Sequence, residues 1–143
     1  MPNQAQIRLG DGYKTTIKVR DFTFHTDEPA DAGGTDEAPT PMELMVSSLG
    51  ACVAVTCKLY ANRKKWPLEG VDIDVTHERV KAVDYPAYEG DADFVNDFQL
   101  KIVFKGPLTE EQLARLHEIA GKCPVHRVLI SPNFIEDTLV EEL

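Results

Sequence analysis

Residues 40–66, "TPMELMVSSLGACVAVTCKLYANRKKW", decide the fold of this chain. Thr40 suits the N-cap of a helix, Pro41 suits the first helical position and Glu43 suits the third. Together these residues form a capping box with the favoured proline. The sequence therefore predicts a long helix that begins at Pro41 and ends within residues 63–65, shortly before the next proline.

The first half of this predicted helix is nearly free of charge, as residues 44–55, "LMVSSLGACVAV", show. A helix that is apolar on most faces is buried inside its protein or against a partner. The basic residues of "NRKKW" (62–66) complement the negative end of the helix dipole. The pattern therefore predicts a central, buried helix with a basic end.

Strand patterns precede the helix. Residues 5–19, "AQIRLGDGYKTTIKV", alternate between polar and apolar around "GDG" and predict a β-hairpin that turns near residues 10–12. Residues 21–26, "DFTFHT", are predicted to form a third strand. The acidic stretch 27–41 is rich in glycine and proline, and it is either a functional loop or a mobile surface loop.

Two further alternating segments follow the helix, at residues 70–80 and 98–106. Because each has period two, we expect them to pair as an antiparallel ribbon. The other predicted elements are an acidic loop over 81–97, a helix over 108–122 that is capped by Thr109 and Gln112, a short helical turn over 124–130 and a last strand over 133–143.

The composition limits the class of protein. The chain has 143 residues, 43% of them hydrophobic and 27% charged, which is typical of one soluble domain. A net charge of −9 argues against nucleic-acid binding, which requires clustered Lys and Arg. We find no signal peptide and no run of about 18 uncharged apolar residues, so we predict a single cytoplasmic domain over 1–143 with no membrane span.

The chain has three cysteines, Cys52, Cys57 and Cys123. An odd number in a reducing compartment argues against a structural disulfide framework and leaves packing, metal binding or catalysis. In "GKCPVHR" (121–127), Pro124 suits the first position of a new helix and makes Cys123 its N-cap. The backbone N–H groups and the dipole of that helix are expected to lower the pKa of the Cys123 thiol.

The other two cysteines lie within the long predicted helix. Cys52 is surrounded by apolar residues and would be an inert small hydrophobe unless a cation or a hydrogen-bond donor approaches from elsewhere in the fold. Cys57 follows five residues later, which is about 140° around a helix. It does not share a face with Cys52, so we assign it to packing.

A metal site is a further alternative, because Cys123 and His126 have a C-x-x-H spacing. A structural zinc needs four ligands, usually from two such pairs. The remaining histidines, His25, His77 and His117, are isolated in the sequence. We therefore predict no metal and no other cofactor.

Two stretches together resemble the OsmC/Ohr family of thiol-dependent peroxidases. They are residues 33–71, "GGTDEAPTPMELMVSSLGACVAVTCKLYANRKKWPLEGV", and residues 108–129, "LTEEQLARLHEIAGKCPVHRVL". A proline-led helix with a cysteine, paired with a late "CPVHR", carries the resemblance. It implies an α+β OsmC-like fold, with antiparallel sheets and a long central buried helix. It also implies an intertwined homodimer with active sites at the dimer interface.

The resemblance also implies a reaction. Cys52 matches the family's peroxide-attacking cysteine and Cys123 matches its resolving cysteine. The expected sequence is thiolate, sulfenic acid and intramolecular disulfide, which an external dithiol then reduces. The substrate class is organic hydroperoxides, which would enter an apolar pocket beside Cys52, and the role is oxidative-stress defence.

The chain departs from the family pattern at two points. Family members activate the attacking cysteine with a glutamate ten residues earlier on the helix, and that position here is Met42. Glu43 stands nine residues before Cys52, about 180° around the helix, so it is either a catalytic residue or only a helix cap. Arg8 and Arg20 are the candidates for the family's activating arginine.

Three functions therefore remain open. An enzyme of this kind predicts reversible disulfide formation on mild peroxide treatment. A non-catalytic OsmC-like protein predicts a small-molecule pocket at the dimer interface, lined by cysteines that do not turn over. A purely structural role predicts thiols that resist modification until the protein unfolds.

Overall fold

A computed structural model describes residues 2–143 and shows the predicted mixture of helices and antiparallel strands. Its elements in chain order are β1 Gln6–Leu9, β2 Thr15–Val19, β3 Phe22–Thr26, α1 Pro41–Lys64, β4 Gly70–Lys81, β5 Phe94–Lys105, α2 Glu110–Ala120 and α3 Pro124–Ile130. The chain divides into two compact units, residues 1–47 and 48–143, and α1 contributes to both. The single domain over 1–143 stays a prediction.

The first unit contains an antiparallel sheet in the order β1-β2-β3. In its register, Ile17 of β2 stands between Ile7 of β1 and Phe24 of β3. The predicted hairpin and third strand are confirmed, because alternation and turn glycines are local signals that need no distant partner. Ile7 and Phe24 remain exposed within the single chain.

The acidic loop after β3 is organised by a buried carboxylate. Asp27 is only 1% exposed, and its carboxylate accepts hydrogen bonds from the Thr35 hydroxyl at 2.6 Å and from the Glu28 and Glu37 N–H groups at 2.8 and 3.1 Å. The Thr35 hydrogen bond is the main reason that the pKa of Asp27 is lowered to about 2. The loop also needs Gly34, because a Cβ there would lie 1.9 Å from the Glu28 carbonyl oxygen.

Helix α1 begins with the predicted capping box. The Thr40 N–H donates to Glu43 Oε2 at 2.8 Å, and the Glu43 N–H donates to Thr40 Oγ1 at 3.2 Å. The helix ends at Lys64, and Lys65 takes a left-handed conformation with φ of 58°. The predicted start and end of this helix are therefore confirmed.

Within the second unit, only one stripe of α1 is buried. The buried residues recur every fourth position: Leu49, Val53, Cys57 and Ala61. On another face, Val55 is 58% exposed and Leu59 is 61% exposed. The helix is therefore not buried on most faces by its own chain, because the ribbon and the other helices of this unit cover one side of it.

Helix α1 also corrects the expectation that no segment resembles a membrane span. By length and composition alone, Pro41–Lys64 is long and apolar enough to cross a membrane. Its serines, threonine and glycine interrupt the apolar run without adding charge, which is why a search for uninterrupted apolar residues missed it. The core helix of a soluble protein passes the same test, so length and composition do not identify a membrane protein.

Strands β4 and β5 form the predicted antiparallel ribbon, with Gly70 opposite Lys105 and Lys81 opposite Phe94. Strand β5 begins at Phe94, four residues before the predicted start, within what was predicted to be a loop. The apolar face of the ribbon packs on the core: Val71, Ile73, Val75, Leu100, Ile102 and Phe104. Gly50 of α1 permits this close approach, because a Cβ there would lie 3.0 Å from Val75 Cγ2.

Helix α2 has the predicted capping box, in which the Gln112 N–H donates to Thr109 Oγ1 at 3.2 Å and the Thr109 N–H donates to Gln112 Oε1 at 3.0 Å. It buries Leu116 and Ile119 and ends at Gly121, as predicted. Helix α3 follows from Pro124, also as predicted.

The predicted last strand over 133–143 is wrong. These residues form no regular element, and the side chains of Phe134 and Leu139 are 95% and 100% exposed. A strand needs a neighbouring strand to accept its hydrogen bonds. Among the described residues 2–143, no strand pairs with this segment, so it does not form a strand.

Candidate functional site

Cys123 caps helix α3 with its sulfur. Cys123 Sγ accepts a hydrogen bond from the His126 N–H at 3.2 Å, and Pro124 occupies the first turn without needing a backbone partner. The thiol is fully buried in the core of the second unit. The predicted N-cap is confirmed.

The predicted low pKa of Cys123 is wrong. Burial raises the pKa of this thiol because it disfavours the charged form, while the His126 and Val125 N–H groups oppose the rise. Burial is the larger effect, so capping alone does not make Cys123 a thiolate. The sequence shows the cap, which is local, but not the burial, which depends on the packing of the whole unit.

Cys52 lies beside Cys123. It is half-buried on α1 and packs against the core cluster that contains Cys123. The hydrogen bond and the charge of Cys52 raise the pKa of Cys123 further, because the two side chains lie close to each other in the core of the second unit. Both cysteines are free thiols in this structure. The structure thus brings together the two residues that the sequence pointed to from separate helices.

Cys57 is a packing residue, as predicted. Its side chain is fully buried, and its S–H donates to the Leu116 carbonyl of α2 at 3.5 Å. Burial, together with the charge of Cys123, raises the pKa of Cys57 to about 11. The helical angle separated Cys57 from Cys52 correctly, but it could not show that Cys57 also lies within electrostatic range of Cys123.

Glu43, Arg8 and Arg20 lie in the first unit. The Glu43 carboxylate takes part in the capping box of α1, so its role as a helix cap is confirmed, and a catalytic role stays a prediction. Arg8 is an exposed residue of β1. The guanidinium carbon of Arg20 lies 5.0 Å from the centre of the Phe22 ring. The assignment of the activating arginine also stays a prediction.

No metal centre is found in the part of the chain that the structure describes. Within residues 2–143, no group of three or more His, Cys, Asp or Glu side chains could hold a metal ion. The Nδ1 atom of His126 is buried, and it has no hydrogen-bond partner among those residues. His77, in contrast to His126, has a side-chain hydrogen bond, between its Nε2 and Asn96 Oδ1 at 2.9 Å.

Two open clefts lie away from the cysteines. One, of about 540 Å³, is lined by residues 2–6 and 18–20 in the first unit. The other, of about 550 Å³, lies between β5 and α2 in the second unit and includes Leu100, Phe104 and His117. Neither cleft includes Cys52, so the apolar pocket predicted beside Cys52 stays a prediction.

Comparisons with known proteins agree on one family. The sequence profile of the family described as OsmC-like protein matches residues 34–136. An OsmC-like protein from Mycoplasma pneumoniae has a TM-score of 0.72 at 20% identity, over 90% of this chain and 87% of that chain. No curated protein matches the sequence.

Some of the similar solved structures carry functional names. An organic hydroperoxide resistance protein OsmC from Legionella pneumophila has a TM-score of 0.65 at 20% identity, over 91% of this chain and 90% of that chain. The organic hydroperoxide resistance protein OhrB of Bacillus subtilis has a TM-score of 0.62 at 20% identity, over 91% of both chains. At this level of identity, the likeness shows the fold alone.

Proposed function

Because this chain belongs to the OsmC-like protein family, we propose that it is a thiol-dependent peroxidase that reduces organic hydroperoxides through Cys52 and Cys123. The observation that carries the proposal is that Cys52 of α1 packs against the core cluster that contains Cys123, at the start of α3, and raises the pKa of that thiol. The names of two structural neighbours, both organic hydroperoxide resistance proteins, support the substrate class.

Burial decides which cysteine attacks. The Cys52 side chain is half-buried and therefore open to a peroxide, whereas Cys123 is fully buried and has a raised pKa. The attacking sulfur must be accessible and ionised, but the resolving sulfur only needs to lie next to it. Cys52 is accordingly the peroxide-attacking residue and Cys123 the resolving one.

The reaction then proceeds in three steps. The Cys52 thiolate attacks the terminal peroxide oxygen, the O–O bond breaks, and the alkoxide leaves as an alcohol after protonation. The Cys123 thiol attacks the sulfur of the resulting sulfenic acid, and water leaves as the disulfide forms. An external dithiol supplies two electrons and two protons to restore both thiols.

The proposal includes a second copy of the chain. The exposed apolar face of α1, at Val55 and Leu59, has the composition of a surface that another subunit covers. A homodimer formed there would place apolar side chains near Cys52 and favour organic peroxides over hydrogen peroxide. The proposal also includes a cytoplasmic location without nucleic acid or membrane as partner, because a covered α1 offers no apolar helix face to a membrane and the net charge of −9 disfavours nucleic acid.

The test is intact mass with thiol counting after one equivalent of cumene hydroperoxide is added to the reduced protein. We expect the loss of two hydrogens per chain and a peptide that links Cys52 to Cys123. Cys52→Ser should abolish the reaction, Cys123→Ser should leave a trappable sulfenic acid, and Cys57→Ala should react like the unmodified protein. An unchanged mass with all three thiols intact would contradict the peroxidase.

One observation favours a second candidate function, a non-catalytic binding protein. Glu43 is engaged as a helix cap, so its carboxylate already has a structural role. A protein with the family fold but without the glutamate that activates the attacking cysteine could still bind a small apolar molecule at a dimer interface. Saturable binding of a hydroperoxide or its alcohol to thiols that stay reduced would support this alternative.

A further inference from the structure

A cluster of positive charge surrounds Tyr60 near the end of α1. The Arg115 Nε donates to the Tyr60 hydroxyl at 3.0 Å, and its guanidinium carbon lies 5.4 Å from the centre of the Tyr60 ring. Arg63 and Lys64 lie 5.9 and 5.8 Å from the same centre, and Trp66 packs edge-on against the ring at 5.5 Å. We call Tyr60, Arg63, Lys64 and Arg115 the Tyr60 cluster.

The Tyr60 cluster carries positive charge in excess. Arg115 is paired with Glu118 at 2.7 Å, but Arg63 and Lys64 form no ion pair with any of residues 2–143. The pKa of Tyr60 is lowered, mainly by the hydrogen bond from Arg115 and further by the charges of the three cations. The side chains around Tyr60 thus carry a net positive charge, although the net charge of the chain is −9.

The helix dipole explains only part of this arrangement. Arg63 and Lys64 stand in the last turn of α1, where a cation is favourable. Arg115 comes from α2 instead, and it contributes both a hydrogen bond and a cation to the same tyrosine. Arg63 and Lys64 are solvent-exposed in the single chain, and they stand in the last turn of α1, beyond Val55 and Leu59.

The cluster lies close to the cysteines within the second unit. Tyr60 follows Cys52 by eight residues on α1, which is about 12 Å along the helix axis. Arg115 directly precedes Leu116, whose carbonyl accepts the hydrogen bond from Cys57. A molecule bound at the cluster would therefore lie about 12 Å along α1 from Cys52, a distance that a docked protein can span.

We propose that the Tyr60 cluster is a docking surface for an acidic dithiol protein that reduces the Cys52–Cys123 disulfide. This inference rests on the proposed function, which requires an external dithiol. One thiolate of the dithiol protein attacks a sulfur of the Cys52–Cys123 disulfide and forms a mixed disulfide with it. The second thiol of the dithiol protein then attacks its own sulfur in the mixed disulfide and releases the cysteine, so the dithiol protein leaves oxidised by two electrons. Cys52 and Cys123 return to thiols with the two protons that the dithiol protein loses.

The chemistry of the cluster favours an acidic protein surface. Two unpaired cations and two aromatic side chains offer charge and apolar contact area together, which suits a folded surface better than a small anion. A long polyanion such as RNA would meet the repulsion of the remaining acidic surface. The whole-chain charge predicts that an acidic reductant is repelled, whereas the cluster predicts that it is attracted, so the two expectations can be separated.

The experiment uses the disulfide form, prepared with diamide rather than with peroxide. Two synthetic dithiol peptides serve as reductants, identical except that glutamates or lysines flank their two cysteines. We expect the acidic peptide to reduce the protein about tenfold faster than the basic one at low ionic strength. The preference should disappear at about 1 M salt, where the Debye length falls to about 3 Å. A basic peptide that reacts faster would overturn the proposal.

Charge-reversal variants locate the effect. Arg63→Glu with Lys64→Glu should abolish the preference for the acidic peptide, and Arg63→Gln with Lys64→Gln should reduce it. The control, Lys81→Glu with Lys101→Glu, changes the net charge equally at two exposed positions of the ribbon. A preference that survives the first change, or that is lost equally in the control, would contradict docking at the cluster.

Two further readouts separate this proposal from the proposed function. Dithiothreitol, a neutral dithiol, should reduce every variant at a similar rate, which shows that the fold and the disulfide are intact. If diamide forms the disulfide but cumene hydroperoxide does not, the proposed peroxidase function is wrong. The rates with the two peptides would still test docking at the Tyr60 cluster. If diamide forms no Cys52–Cys123 link, both proposals are wrong.

Discussion

At the residue scale, the buried thiols show how strongly burial controls the pKa of a cysteine. Cys123 has the capping position that usually favours a thiolate, yet burial raises its pKa on balance. Cys57 has no compensating cap, and burial raises its pKa to about 11. Residue type and local sequence are therefore poor guides to the reactivity of these sulfurs, whereas exposure separates Cys52 from the other two.

The raised pKa of Cys57 should make stability depend on alkaline pH. An unfolded cysteine ionises near its ordinary value, so between about pH 9 and 11 the unfolded state binds fewer protons than the folded state. The free energy of unfolding should fall by about 2–3 kcal/mol across that range. Urea denaturation at pH 7.5, 9 and 10.5 measures this fall.

The control for this prediction is Cys57→Ala. Its absolute stability will be lower because the substitution opens a small cavity. The comparison therefore uses the slope of stability against pH, which should be shallower in Cys57→Ala than in the unmodified protein. Equal slopes in the two proteins would show that Cys57 titrates normally.

At the scale of elements, helix ends were predictable and tertiary contacts were not. The capping boxes at Thr40 and Thr109 and the start of α3 at Pro124 depend on residues within one turn, which the sequence displays directly. The contact between Arg115 and Tyr60, 55 positions apart in the chain, has no local signal. The exposed segment 133–143 was wrongly predicted as a strand for the same reason, since a strand needs a partner strand to pair with.

The cap on α3 should be measurable by substitution. Cys123→Ala removes the acceptor of the His126 N–H, whereas Cys123→Ser replaces it with an oxygen. Losing such a cap costs about 1 kcal/mol, and α3 has only seven residues over which to recover it. Amide hydrogen exchange in α3 should therefore be faster in Cys123→Ala than in Cys123→Ser. Equal exchange would mean that the cap contributes nothing.

The turn after β5 depends on a glycine. Gly106 has φ of +121°, and a Cβ there would lie 2.2 Å from the Pro67 carbonyl oxygen. Gly106→Ala should lower the free energy of unfolding by about 2–3 kcal/mol through backbone strain and this clash. Gly10→Ala is the control, because no atom lies within 4 Å of a Cβ at Gly10. Chemical denaturation should show little change in the control.

At the scale of the whole molecule, the exposed apolar face of α1 tests the proposed homodimer. Val55→Asp should convert the dimer to a monomer of about 15.9 kDa, measured by light scattering after size-exclusion chromatography, because a buried unpaired carboxylate opposes association. Val103→Asp is the matched control, since Val103 is 57% exposed and Val55 is 58% exposed. A monomeric unmodified protein would contradict the dimer.

The sequence predicted the α+β class and the pair Cys52 and Cys123, because the motif at 40–66 and "CPVHR" are compact signals. It did not predict which faces of α1 stay exposed, since one chain does not reveal what a second chain would cover. It showed the basic residues at 62–66 but not that Arg115 of α2 joins them at Tyr60, because that contact lies between distant positions of the chain.

The division of the chain into two units has a consequence for its motions. The sheet β1-β2-β3 leaves most of its side chains exposed, whereas the stripe of α1 at Val53 and Cys57 is fully buried. Segments with few buried apolar contacts open locally well below the energy of global unfolding. The amides of the three strands should therefore lose their protection first, so a protease could nick the first unit while the core around the thiols remains folded.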